Sequence, residues 1–248
     1  NVITITTDLG DSFAAAQLQA VIASLGYKGK VIENHDVTNF SITEGAFQIL
    51  SLSKFCPNDS IHVGIVDPGV GSERKGIIIH TKNYWFVGPD NGLLYPAANN
   101  NVIWNIWRLQ ESKVSDYVSN TFHGRDVFIK AAVYLSQGLR PEDFHSINIP
   151  SSNLKTLSFQ NGQVLHIDHY GNIKVYWEKP IIPGKHLIVN SKKFHWDAPI
   201  VKTFSDVSPG SPLALLGSNL TLELAVNLKN ASIIYDIKID DILNITDK

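Results

Sequence analysis

The sequence predicts an α/β protein: an N-terminal layered α/β domain with a mostly parallel sheet, and a smaller C-terminal all-β, barrel-like domain. Three observations carry this. Strand and helix patterns alternate over residues 1–140. The run Ile61–Val66 is continuously apolar, as expected of a strand covered on both faces. Beyond Pro141 the pattern changes to short strands at close spacing. The expected limits are 1–145 for the first domain, 146–158 for a polar linker and 159–248 for the second. A hydrophobic content of 44% over 248 residues is enough to fill a core in each.

The elements follow in order. Val2–Thr6 reads as a strand. Leu18, Val21, Ile22 and Leu25 recur at helical spacing. Val31–Glu33 is a short strand. Ser41-Ile-Thr-Glu44 is a capping box that opens the helical run Ala46–Lys54, and Pro57 ends it. Gly76–His80 and Tyr84–Val87 read as a hairpin turning at Lys82-Asn83. Asp126–Gln137 is helical and Gly138 closes it. In the second half Val164–Ile167, Ile173–Trp177, His186–Val189, Leu213–Leu216, Leu220–Val226 and Ile233–Ile237 read as strands. Pro183-Gly184 and Pro209-Gly210 punctuate them.

Composition excludes several function classes. Charged residues make up 18% and the formal net charge is −2, with no basic block, which argues against a nucleic-acid or anionic-membrane surface. No apolar run approaches the roughly 20 residues that span a bilayer. The lone Cys56 precedes Pro57 with no basic neighbour and reads as a structural thiol. One cysteine permits no internal disulfide and fits a reducing cytoplasm, the expected location.

Chemistry-bearing residues cluster in a few motifs. Thr7-Asp-Leu-Gly10 follows the first strand, at the sheet edge where α/β domains bind ligands. Asp8 has two readings: it accepts hydrogen bonds from a ribose diol, or it caps the next helix, a job for which Asp11 and Ser12 compete. The loop lacks a GxGxxG and a P-loop lysine, so it is no phosphate cradle. Val66-Asp-Pro-Gly-Val-Gly-Ser-Glu-Arg74 fixes Asp67 and Arg74 on a tight loop, either as a staple or as a charged site. Asp90-Asn91-Gly92 fits a plain turn. His123 stands ahead of a helix in Thr121-Phe-His-Gly-Arg-Asp126, either as a structural hydrogen-bonder or as a catalyst. His166-Ile-Asp-His169 suggests metal ligation at first sight, but no HExxH or CxxC accompanies it, and no metal or other cofactor is expected.

With these motifs in order, the chain resembles the S-adenosylmethionine hydroxide adenosyltransferases, relatives of the fluorinase and chlorinase. The resemblance also runs through Gly88-Pro-Asp-Asn-Gly-Leu-Leu94, His166-Ile-Asp-His-Tyr-Gly-Asn172 and Leu222-Glu-Leu-Ala-Val-Asn227, and so covers nearly the whole chain. It implies hydrolysis of S-adenosylmethionine to adenosine and L-methionine, with an Asp, Arg and His triad on Asp67, Arg74 and His123. It implies Asp8 at the ribose hydroxyls and Phe40 packed on the ligand. Asp168, Tyr170 and Asn172 fall at the methionine part and ribose, Ser218 at the methionine carboxylate and Val226 beside the adenine. Asp11, Ser12, Asn91 and Glu223 complete the implied substrate-binding set. A homotrimer with sites between subunits is implied too. The halogenases lack the triad, so an intact one favours water over halide. Leu220-Thr221 stands where the family usually has Gly-Tyr, and Asp11–Ala16 departs from the usual Asp-x-Tyr-Val-Gly. The rival readings are a halide-dependent adenosyl transferase, a protein that binds S-adenosylmethionine or adenosine without turnover, and a metal hydrolase.

Overall fold

The computed structural model of the chain describes residues 1–190 and 194–248. They form two compact units, Asn1–Leu157 and Ser158–Lys248.

In the first unit the strands are β1 (Val2–Thr7), β2 (Lys30–Asn34), β3 (Ser60–Ile65), β4 (Gly76–Thr81), β5 (Tyr84–Pro89), β6 (Ile103–Arg108) and β7 (Ile147–Asn148). They make one sheet in the order β2-β1-β3-β5-β4-β6-β7. The neighbours β2, β1, β3 and β5 are parallel, and β4, β6 and β7 extend the sheet antiparallel. The helices are α1 (Phe13–Ser24), α2 (Ile42–Ser53), α3 (Tyr95–Asn99), α4 (Glu111–Val114) and α5 (Ile129–Ser136).

Strand alternation separates the two faces of the sheet. Ile3, Ile5, Ile61, Val63 and Ile65 form one buried cluster with Leu18 and Ile22 of α1 and Ile129, Ala132 and Val133 of α5. Each such Ile or Leu contributes about 1.5–3 kcal/mol on burial, enough to fix which face of the sheet these helices cover. Every residue of β3 is buried, including the polar Ser60 and His62, as expected of a strand covered on both faces.

Helix ends follow from local chemistry. Ser12 Oγ accepts from Ala15 N at 3.3 Å, so Ser12 is the cap of α1. Ser41 Oγ accepts from Glu44 N at 3.2 Å, while Glu44 Oε2 accepts from Thr38 N at 2.7 Å and ties the helix to the loop before it. At the end of α5, Gly138 at φ +89° lets Leu139 N reach Tyr134 O at 3.1 Å.

Several expectations need correction. The helix expected from Asp126 begins as a π-turn, Gly124–Phe128, and becomes α-helical at Ile129. Much of the expected linker is part of the first unit: Ile147 and Asn148 pair with β6, and Lys155 N donates to Asp90 Oδ1 at 2.9 Å. The elements α3, α4, β6 and β7 went unread because they are short or lack a clean period.

The second unit contains β8 (Val164–Ile167), β9 (Ile173–Val175), β10 (His186–Asn190), β11 (His195–Pro199), β12 (Pro212–Leu216), β13 (Leu222–Val226), α6 (Ala231–Tyr235) and β14 (Asn244–Asp247). Its sheets run β12-β13-β9-β8 and β11-β10-β14. They share a core that includes Val164, Val175, Leu187, Trp196, Leu224 and Val226. Both sheets are antiparallel, and isolated bridges between Ile200 and Ala214 and between Gln163 and Ile242 join them beside their edge strands, in keeping with the barrel-like form expected; the short helix α6 is added to it. The expected strand Ile233–Ile237 is largely helix: Asn230 Oδ1 accepts from Ile233 N at 2.9 Å and caps α6. A run of β-branched residues was outvoted by its cap.

Candidate active site

The parallel strands β1 and β3 lie side by side, with Thr7 opposite Ile65. Their carboxyl ends therefore release Asp8 and Asp67 as neighbours, at the edge where parallel sheets expose loops to ligands. Asp8, Leu9, Asn39, Phe40, Ile65, Asp67, Val70, Phe122 and His123 are among the residues lining a cleft of about 250 Å3 there.

His123 reaches this edge because Gly124 packs directly on Ile65: a Cβ at Gly124 would stand 2.6 Å from Ile65 Cγ2. The π-turn that follows carries the chain into α5, and such turns recur at functional sites. On the facing loop, Gly71 at φ +76° presses its backbone against the Asn120 carbonyl. The Asp67 loop and the His123 loop are thus in direct backbone contact.

Asp67 and Arg74 are joined at two points: Arg74 Nε donates to Oδ1 at 3.1 Å and Nη2 to Oδ2 at 2.5 Å. Both side chains are only 7% exposed. At that burial the desolvation of two charges roughly cancels their attraction, so the pair gives position rather than net stability. Arg74 Nη2 also lies 3.1 Å from His123 Nδ1, and the guanidinium sits over the Phe128 ring, 5.3 Å from its centroid. Arg74 is not among the residues lining the cleft; it stands behind Asp67 and His123.

Glu111, the first residue of α4, completes the cluster. Its Oε1 is 3.3 Å from His123 Nδ1 and 3.6 Å from Arg74 Nη1. Sequence reasoning missed Glu111, because nothing local distinguishes it from any acid in the first turn of a helix.

Asp8 Oδ2 accepts from Phe40 N at 2.8 Å, and Ser12 does the capping, which leaves Asp8 to the cleft. Phe40 is 70% exposed and holds φ +66°, a left-handed backbone that is unfavourable for an aromatic residue. Asp11 is exposed and lies outside the cleft lining, as does Ser12. Asn91 is engaged within the fold: its Nδ2 donates to Val66 O at 2.9 Å and its Oδ1 accepts from Leu93 N at 3.1 Å. It holds the carbonyl just before Asp67.

In the second unit Tyr170, Asn172 and Val226 line a cavity of about 540 Å3 with Phe204 and Asn227–Asn230. Asp168 and Glu223 lie outside that lining. Asp168 Oδ1 accepts from the backbone N of Tyr170 and of Asn172, both at 3.0 Å. Its Oδ2 takes Asn172 Nδ2 at 3.1 Å and Lys174 Nζ at 3.2 Å. Burial alone would raise the Asp168 pKa, but the bond from Asn172 and the Lys174 charge pull it below the ordinary value. Glu223 pairs with the same Lys174 Nζ at 3.2 Å. Asp168 clamps the β8–β9 turn, and Glu223 ties β13 to β9 through Lys174. Ser218 is exposed, on the loop between β12 and β13, and lies outside that cavity's lining. Among the described residues no group of three or more His, Cys, Asp or Glu is arranged to hold a metal ion.

A mostly parallel sheet with a charged cleft at the carboxyl edge of its parallel strands, followed by an antiparallel unit with its own cavity, defines a two-unit α/β protein. The chain belongs to the S-adenosylmethionine (SAM) hydroxide adenosyltransferase family: residues 3–145 match the family model for the N-terminal domain and residues 162–244 that for the C-terminal domain. It is 32% identical to the (R)-S-adenosyl-L-methionine hydrolase of Methanocaldococcus jannaschii, over 75% of this chain and 70% of that one. It is 31% identical to the protein of the same name from Salinispora arenicola, over 98% of this chain and 97% of that one. A crystal structure of an uncharacterized conserved protein from Thermotoga maritima superposes with a TM-score of 0.89 at 28% identity, covering 98% of this chain and all of that one. Fluorinases are more distant, at 21% identity for that of an Actinoplanes species.

Proposed function

We propose that the chain hydrolyses S-adenosyl-L-methionine to adenosine and L-methionine, by attack of water on C5′ of the adenosyl group. The observation that carries this reading is the buried Asp67, Arg74 and His123 cluster at the wall of the Asp8 cleft. Relatives named as hydrolases of this compound support it.

The sulfonium leaves C5′ as a neutral thioether and needs no acid. The difficulty lies in making a nucleophile from water whose pKa is about 15.7. In this reading His123 takes one proton from the water at Nε2, and Asp67 orients the water by accepting its other hydrogen. A positioned base contributes roughly 10²–10⁴-fold. Holding the water in line behind C5′ adds up to about 7–11 kcal/mol. Arg74, behind the wall, holds Asp67 and His123 in place. Asp8 keeps Oδ1 for the ribose diol while Oδ2 holds the Phe40 loop. Tyr170, Asn172 and Val226, supplied by a neighbouring subunit in this reading, complete the contacts to the nucleoside. The reaction needs no metal or other cofactor. The homotrimer is part of the same proposal. The exposed Leu220, Leu228, Ile233 and Ile234 of the second unit support it, and a monomer in sedimentation equilibrium would refute it.

The test is incubation with S-adenosylmethionine, with and without chloride, followed by chromatography of the nucleosides. Adenosine and methionine in equal amounts, independent of chloride, are expected. Formation of 5′-chloro-5′-deoxyadenosine instead, or survival of the bound compound, overturns the reading.

A further inference from the structure

His123 Nδ1 has two charged neighbours that demand opposite protonation. Arg74 Nη2, at 3.1 Å, is an obligate donor, so it favours a ring whose Nδ1 lone pair is free and whose proton is on Nε2. Glu111 Oε1, at 3.3 Å, is an acceptor when ionised, so it favours a proton on Nδ1 and a free lone pair on Nε2. Only the second tautomer can accept a proton from water at Nε2. Asp67 does not make the choice, because its oxygens meet Arg74 and not the His123 ring.

We infer that Glu111 is a positioning residue, whose carboxylate accepts the His123 Nδ1–H and so keeps Nε2 available as the base. The inference rests on the reading of His123 as that base. Glu111 is well placed for the task. It opens α4, its backbone oxygen accepts from Ser115 N at 3.3 Å, and Leu109 N just before it is tied to Gly76 O at 2.8 Å. Its side chain is 28% exposed while that of His123 is 6% exposed, so the carboxylate joins a buried ring to the surface without being buried alone. Without it, Arg74 is the charged neighbour left at Nδ1, and the ring turns to the tautomer that accepts from Arg74.

The experiment compares the wild type, Glu111→Gln, Glu111→Asp and His123→Ala. It reads kcat and KM for S-adenosylmethionine, and the tautomer of His123 by ¹⁵N NMR of histidine-labelled protein. Glu111→Gln is expected to lower kcat by about 10²-fold with KM changed less than about threefold, since a mis-set ring loses much of a base's contribution. Its neutral His123 moves to the Nε2–H form, whereas the wild type shows Nδ1–H. Glu111→Asp, which keeps the acceptor on a shorter stem, recovers part of the rate. If Glu111→Gln keeps kcat within about twofold while His123→Ala loses about 10²-fold, the inference fails and the base assignment stands. If His123→Ala keeps the wild-type rate, the base assignment itself fails. Should Glu111→Gln not fold, the wild-type spectrum decides alone: an Nε2–H His123 overturns the role given to Glu111.

Discussion

Asp67 grips Arg74 through both carboxylate oxygens, and the same guanidinium touches His123 Nδ1 at 3.1 Å. The first interaction spans seven residues of one loop and the second spans 49 residues of chain. A loop staple and a proposed catalytic histidine are thereby one unit, and its behaviour on mutation follows.

Removing one partner of a buried pair strands the other. Asp67→Asn leaves the buried Arg74 charge with only the longer, part-exposed contact to Glu111 at 3.6 Å, and is expected to destabilise the first unit by about 3 kcal/mol and to lower turnover as His123 loses its support. Urea unfolding measures the first effect. A loss under about 1 kcal/mol would mean that the pair is not buried in solution as it is in the structure.

Asp8 does two things at once, so its removal has two signatures. Asp8→Ala is expected to weaken adenosine binding by about 1.5–3 kcal/mol, the range for a hydrogen bond to a charged group. It also frees Phe40 from its left-handed backbone, because the bond to Phe40 N is lost. Calorimetric titration with adenosine tests the ribose role, and unchanged affinity refutes it.

Backbone contact between the two site loops depends on one glycine. Gly71→Ala places a methyl against the Asn120 carbonyl at a φ of +76°. The strained conformation alone costs about 1–3 kcal/mol, and the Asn120 segment leading to His123 must move. Both the melting temperature and kcat are expected to fall. A variant with normal kcat shows that His123 is held independently of this contact.

His62 gives the first unit a pH dependence away from the site. Its Nδ1 bonds Thr4 Oγ1 at 2.7 Å, its ring stacks on Phe86, and Nε2 is buried with no hydrogen-bond partner. Burial lowers its pKa from 6.5 to about 4, so the folded protein keeps the ring neutral while the unfolded chain protonates it. Stability is therefore full above pH 6.5 and declines as pH falls toward 4, by roughly 3 kcal/mol in all. His62→Gln is expected to flatten that slope. An equal slope in the variant assigns the effect to another group.

Periodicity in the sequence determined much of the fold and none of the coupling. The buried strand β3, the capped helices α1 and α2 and the β4–β5 hairpin were legible because each writes its own pattern in adjacent residues. The residues Asp8, Asp67, Arg74 and His123 were picked out as a site by the family resemblance of their motifs, since local pattern left each of them a structural reading as well. Tertiary structure alone decided that Arg74 stands behind the cleft wall and that Asn91 and Asp168 spend their polar atoms inside the fold. It alone brought Glu111 to His123. The Ile233–Ile237 run misled because a capping Asn230 is one residue against a stretch of apolar pattern. The physical reason is common to all of these. Propensity and period act over a few residues, whereas a side chain's partner is set by which strands lie side by side, and here β1, β3 and the turn before α5 converge from distant parts of the chain.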